Sequence, residues 1–201
     1  MGLNRPIFVS FEGIDGTGKS TLIENLRVYY MGLGYHVVST MEPGGTSVGN
    51  IARRKLAEGR NTLTPKQQAL LLTISRFALN EEIIKPLMST RDNKVIILCD
   101  RYYDSTTVYQ GALGLDSKTM REFNLGWVVP DLTLLMDVPV KVAMKRMSEE
   151  DASMGYDYYA KLDKAYCSLA LSNMDRFRLV TGLGGEEASL TAAIAIIKTL
   201  L

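Results

Sequence analysis

Histidine, tryptophan and cysteine are scarce in these 201 residues, with one histidine, one tryptophan and two cysteines. Cys99 sits inside an apolar run and Cys167 in a helical stretch. They lack metal-ligand spacing and cannot form a disulfide framework, so both read as reduced filler. A charge excess of either sign is also missing: Lys and Arg total 23 against 22 Asp and Glu. That balance argues against a basic field for a nucleic-acid polymer and against an acidic solvating tail, and a small partner is expected. No stretch approaches the roughly 18 apolar residues of a membrane span, and the opening MGLNRPIFVSFEG has too short an apolar run for a signal peptide. Gly2 suggests an N-myristoylation pattern, but Pro6 stands where that pattern needs Ser or Thr. No repeat, low-complexity tract or Pro/Ser linker divides the chain. One cytoplasmic domain over residues 1–201 is expected, without a membrane partner.

The pattern that is present alternates short β-branched runs with longer helical ones. IFVSFE (7–12), HVVST (36–40), VIILCD (95–100), LTLLMDV (132–138) and RFRLVT (176–181) read as strands. The first, third and fourth are apolar on both alternating faces, which suits the buried interior of a parallel sheet. Helical periodicity falls at about 19–33, 47–59, 65–90, 117–126, 140–172 with a break, and 186–200. The layout is α/β, doubly wound, with helices on both faces of a five-stranded parallel sheet. The polar break SEEDASMGYD (148–157) reads as a mobile flap.

The stretch GIDGTGKS fits G-x-x-x-x-G-K-[ST] through Gly13, Gly18, Lys19 and Ser20, and it follows a strand and opens a helix. Glycines let backbone N–H groups curl around phosphate oxygens, and the helix N-terminus adds positive partial charge. Lys19 bridges the terminal phosphates, and the Ser20 hydroxyl can ligate Mg²⁺. Residues Gly13, Ile14, Asp15, Gly16, Thr17, Gly18, Lys19, Ser20 and Thr21 are therefore the expected triphosphate cradle. A guanine switch would carry N-K-x-D, whereas Asn93-Lys94 is followed by Val95 and Ile96. A motor ATPase would show a charge asymmetry or an added domain. A self-contained phosphotransferase is the class that remains. VIILCDRYYDSTTVYQG (95–111) supports it, because its apolar strand would deliver Asp100 and Arg101 to the carboxyl edge of the sheet beside the loop. Asp100 can then order the Mg²⁺ shell while Arg101 grips a second phosphate. The Tyr-rich segment that follows reads as a polar turn.

FEGIDGTGKST (11–21), EPGGT (42–46), Arg76 within LLLTISRFALNEEIIKPL, and DRYYDSTTVYQG (100–111) together resemble the thymidylate kinases over nearly the whole chain. The resemblance implies a P-loop NTPase three-layer fold with a short LID flap at about 147–157. It also implies transfer of the ATP γ-phosphoryl group to dTMP with Mg²⁺, in a homodimer packed through helices. By position, Asp15 would bond the 3′-OH and Arg101 the acceptor phosphate, and Arg76 would read the thymine edge. Thr106 would contact the base, Tyr109 would crowd a ribose 2′-OH, Tyr166 would line the same pocket, and Glu42 would support acceptor and metal. Lys19 and Arg146, the latter at the helix end before the flap, complete the catalytic set with Asp15 and Arg101. Lys145 reads as a solvated neighbour of Arg146. The acceptor is already largely deprotonated, so no general base is needed and His36 can be an ordinary strand residue.

Three positions depart from the family pattern. Leu72 stands where an aromatic residue would stack on thymine, a contact worth about 1–3 kcal/mol per base. Gly16 stands where some members carry a P-loop arginine, yet the flap has no Lys or Arg and instead holds Glu149, Glu150, Asp151 and Asp157. Met41 stands where many relatives have a basic residue before EPGG. Two alternatives follow: a broader kinase that also accepts dUMP, and a nucleotide-binding regulator with a weakened site.

Overall fold

The computed structural model describes residues 3–59 and 62–201; Gly2 lies outside them. The chain runs β1 (Ile7–Glu12), α1 (Lys19–Gly32), β2 (His36–Met41), α2 (Ser47–Glu58) and α3 (Pro65–Leu79). A π-helical turn (Asn80–Ile84) and α4 (Lys85–Met88) continue α3 before β3 (Val95–Asp100), α5 (Tyr103–Ala112) and α6 (Ser117–Phe123). Then follow β4 (Leu132–Asp137), α7 (Val140–Met144), α8 (Glu149–Ala152), α9 (Tyr156–Leu171), β5 (Phe177–Thr181) and α10 (Gly185–Ile197). The five strands form one all-parallel sheet in the order β2-β3-β1-β4-β5.

Burial follows that order. The three inner strands are buried almost throughout, whereas β2 and β5 expose alternate stretches, as edge strands do. One face packs Val9, Phe11, Leu98 and Leu134 against Leu22, Leu26 and Tyr30 of α1 and Ala193 and Ile197 of α10. The other face carries α3, α5 and α9: Phe8, Ile97 and Cys99 meet Leu79 and Tyr102, while Leu135 and Phe177 meet Val108, Leu162 and Tyr166. Each large apolar side chain sealed in this way contributes about 1.5–3 kcal/mol.

Two expectations need correction. The segment after Arg101 is not a polar turn but the ten-residue helix α5. Its buried positions are Asp104, Thr106, Val108 and Gln110, so the buried face is mostly polar and an apolar period cannot reveal it. The final strand starts at Phe177 rather than 176, because Arg176 turns inward. Its guanidinium donates to both carboxylate oxygens of Asp104 at 2.7 and 2.8 Å and to Thr133 at 2.5 Å, tying the start of α5 to β4. Within the expected flap, α8 forms a single capped turn: Ser148 Oγ accepts from the Asp151 N–H at 3.1 Å. Glu149, Glu150 and Asp151 occupy its first turn, where the helix dipole favours negative charge. The acidity of the flap thus has a local structural cause.

Candidate active site

Parallel strands place their carboxyl ends at one edge, and the loops leaving β1, β2 and β3 meet there. They enclose a cleft of about 370 Å³ lined by Asp15, Gly16, Gly18, Lys19, Ser20 and Thr21 from the first loop and by Met41 and Glu42 from the second. Asp100 and Arg101 line it from the third, and Arg53 from α2. That size is ordinary for a small-molecule site.

The first loop wraps as the glycine spacing requires. Gly18 caps α1 with φ 91°, and the first turn of α1 contains no acidic residue, which leaves its positive end available to an anion. Thr17 Oγ1 donates to the Ile14 carbonyl at 2.8 Å, and Lys19 Nζ donates to the carbonyls of Gly13 and Ile14 at 3.1 and 2.8 Å. Burial, with Arg101 nearby, lowers the Lys19 ammonium to about 8, and Asp100, Asp15 and Glu12 oppose that fall. Gly16 has φ +74°, and a Cβ there would lie 2.2 Å from the Ala143 carbonyl oxygen. The end of α7 therefore rests directly on the loop.

At the end of β3, Asp100 Oδ2 accepts from Ser20 Oγ at 2.6 Å. A hydroxyl and a carboxylate this close suit a hard cation that also takes phosphate and water oxygens. Among the described residues no cluster of three His, Cys, Asp or Glu side chains forms a metal cage by itself.

Arg101 follows with φ 67°, its N–H donating to the Phe11 carbonyl at 2.9 Å. Its Nη2 donates to Asp15 Oδ1 at 2.7 Å and to Tyr109 Oη at 3.1 Å, and its Nη1 donates to Ser105 Oγ and Tyr166 Oη, each at 3.1 Å. Burial disfavours the Arg101 charge, but Tyr109, Tyr166, Asp15 and Glu12 hold its pKa well above the ordinary arginine value. Burial also works against the Asp15 carboxylate, yet Arg101 and Lys19 keep its pKa below the usual range.

A second network lies one layer deeper. Arg76 Nε donates to Glu42 Oε2 at 3.0 Å and Nη2 to Glu42 Oε1, with further bonds to Thr106 Oγ1 at 2.5 Å and Asn124 Oδ1 at 2.9 Å. Burial raises the Glu42 pKa against the pull of Arg76. Gln68, Leu72 and Arg76 recur every four residues on α3, and Thr106 and Gln110 do so on α5, where Gln110 Nε2 donates to Gln68 Oε1 at 3.1 Å. Half-buried Leu72 therefore lies in the same row as two residues that bond across to α5.

The structure brings most of the expected residues together. Asp15, Gly16, Gly18, Lys19, Ser20, Thr21, Glu42, Asp100 and Arg101 share the cleft, while Gly13, Ile14 and Thr17 lie buried behind it. Tyr109 and Tyr166 hold Arg101, and Tyr166 is buried. Arg76 and Thr106 are fully buried. Arg146 is exposed at the end of α7, its backbone N–H bonded to the same Ala143 carbonyl that rests on Gly16. His36 is exposed on an edge strand, away from the cleft. Three residues escaped the sequence reading. Arg53 donates to the Pro43 carbonyl at 3.0 Å and touches Met41 Sδ at 3.1 Å, bringing a cation to the place where Met41 lacks one. Gln110 keeps a buried Oε1 without a partner, four residues after Thr106. Glu12, at the end of β1, is wholly buried and is pushed up to about 7 by burial and by Asp104. Of the three, only Gln110 carried a usable signal, its i+4 spacing from Thr106.

The profile of the thymidylate kinase family matches residues 11–184. The chain belongs to the thymidylate kinase family. It is 36% identical to the thymidylate kinase of Thermoanaerobacter sp. strain X514, covering 88% of this chain and 89% of the relative. With the thymidylate kinase of Kosmotoga olearia it shares 37% identity over 90% of each chain. The crystal structure of thymidylate kinase from Ehrlichia chaffeensis superposes with a TM-score of 0.77 at 27% identity, covering 96% of this chain and 99% of that one. This thymidylate kinase family member is thus a kinase with the family's P-loop fold.

Proposed function

We propose that this kinase transfers the γ-phosphoryl group of ATP to the 5′-phosphate of dTMP, giving ADP and dTDP, as a single cytoplasmic domain over residues 1–201. The observation that carries this reading is one cleft in which a phosphate loop faces Arg101, a guanidinium whose Nη2 edge bonds the half-exposed Asp15 and the Tyr109 hydroxyl. An acceptor phosphate oxygen attacks the γ-phosphorus while the bond to the β,γ-bridging oxygen breaks. Both reactants are anions, so alignment and charge cancellation are the chemistry required. Lys19 and the loop N–H groups hold the donor, and Arg101 and Arg53 hold the acceptor phosphate. Asp15 accepts from the 3′-OH, and Arg146, beside the Ala143–Gly16 contact, reaches the transferring group. Ser20 and Asp100 would hold Mg²⁺, which supplies charge neutralisation across the donor phosphates. No general base is needed, and the cleft carboxylates fit that: Asp15 and Glu42 are paired with arginines and Asp100 with Ser20.

The base end lies along the α3–α5 row of Leu72, Arg76, Thr106 and Gln110, with Tyr109 closing the sugar side. The apolar residues Val48 and Ile51 on α2 and Leu70, Ile74 and Phe77 on α3 are exposed, which supports a homodimer through these helices. Coupled ADP release with ATP and Mg²⁺, run separately with dTMP, dUMP, dCMP and dGMP, tests the reading. Turnover is expected to be acceptor-dependent and highest with dTMP. Equal kcat/KM for dUMP would overturn the specificity, and nucleotide binding without any turnover would overturn the reaction.

A further inference from the structure

Beneath the Arg101 guanidinium lies a carboxylate that takes no direct part in binding. Glu12 ends β1 with no exposed surface. Its Oε1 accepts from the Tyr102 backbone N–H at 2.8 Å, and its Oε2 accepts from Ser105 Oγ at 2.6 Å and from Tyr166 Oη at 3.0 Å. Those two hydroxyls, 2.8 Å from one another, are the ones that accept from Arg101 Nη1. We propose that Glu12 is a positioning residue that fixes Arg101 for the acceptor phosphate, acting through the hydroxyls of Ser105 and Tyr166. The inference rests on the reading of Arg101 as the phosphate clamp.

The argument is one of hydrogen-bond polarity. An ionised carboxylate, the form Glu12 takes above about pH 7, only accepts, whereas a hydroxyl donates once and accepts through its lone pairs. With the hydroxyl protons drawn toward Glu12, either directly or from Tyr166 through Ser105, both oxygens keep lone pairs for Nη1, which can only donate. The Nη1 edge is thereby tied to buried groups. The Nη2 edge is tied to Tyr109 Oη at 3.1 Å and to Asp15, whose side chain is 41% exposed, so an incoming phosphate can compete for the place of Asp15. Glu12 thus divides the guanidinium into a fixed edge and an exchangeable one. A buried carboxylate beside Asp104 is costly unless it is hydrogen-bonded, and two of its three bonds come from the hydroxyls that hold Arg101.

Glu12→Gln tests this with little change of shape. If the amide oxygen keeps the Tyr102 N–H, its NH₂ faces Ser105 and Tyr166 as a donor, which reverses the relay and turns hydroxyl protons at Arg101. The expected result is a loss of about 10- to 100-fold in kcat/KM for dTMP, carried by the acceptor KM, with the ATP KM and Tm at or above parental values. In an Arg101→Ala background the same substitution should add nothing, since the group it positions is gone. Equal losses in both backgrounds, an effect on the ATP KM instead, or unchanged kinetics would overturn the proposal. Should Glu12→Gln fail to fold, Tyr166→Phe decides: it keeps the ring, removes one relay oxygen and should raise the same KM. If Arg101→Ala alone leaves the acceptor KM at the parental value, the clamp reading itself has failed, an outcome separable from failure of the Glu12 relay.

Discussion

Arg101 and Arg76 each pair with a carboxylate from a neighbouring loop, and their surroundings set them apart. Arg101 and Asp15 keep side-chain exposures of 15% and 41%, whereas Arg76 and Glu42 have 0% and 2%. Both guanidiniums make four side-chain hydrogen bonds, so the number of contacts does not separate them. What differs is the ease with which a partner can be exchanged. Arg101 can give up a water-accessible carboxylate for a phosphate. Arg76 must give up a buried partner, and its bonds to Thr106 and Asn124 join α3 to α5 and to the turn after α6. One guanidinium thus keeps an exchangeable partner at the sheet edge, and the other braces α3 against α5 one layer below.

Removing each arginine is the most direct way to break that comparison. Arg76→Ala leaves Glu42 buried and unpaired, which should cost about 3–5 kcal/mol of stability in urea unfolding; a loss below about 1 kcal/mol would mean that the brace is not structural. Arg101→Ala should leave the fold nearly as stable while lowering kcat/KM for dTMP by about 10²- to 10³-fold. Near-normal kinetics in that variant would remove the distinction. The smallest effect concerns the third cation, Lys19, whose proton is held more weakly in the folded chain than in the unfolded one. The penalty for keeping it charged applies in full below about pH 8 and fades as pH rises toward the ordinary lysine range. Any stability advantage of Lys19→Met over the parent should therefore shrink between pH 7 and 10, as read from paired Tm values. A Tm difference that stays constant with pH would contradict the weakened proton.

Those residues also mark how far the sequence could be read. The inner strands were legible because uninterrupted apolar runs such as VIILC have few other places to go, and the loop at 13–20 was legible because strand, glycines and helix occur in order. Helix α5 was not, since it buries Asp104, Thr106 and Gln110 toward polar partners and so inverts the period that reveals a helix. Arg53 stands twelve residues from Met41, and only the fold lays it across that residue. Glu12 has no visible role in the sequence, because its partners lie at 102, 105 and 166 and only the folded structure brings them to one carboxylate. The pairing of Arg76 with Glu42, 34 residues apart, is hidden in the sequence for the same reason.

Gly16 carries a last consequence. The carbonyl of Ala143 occupies the volume that a side chain at position 16 would need, so the loop and the arm bearing Arg146 fit together with no spacer between them. A bulky residue at position 16 would prop the arm outward and carry Arg146 away with it. A side chain on the loop at position 16 and the arm in its present place would therefore compete for the same space.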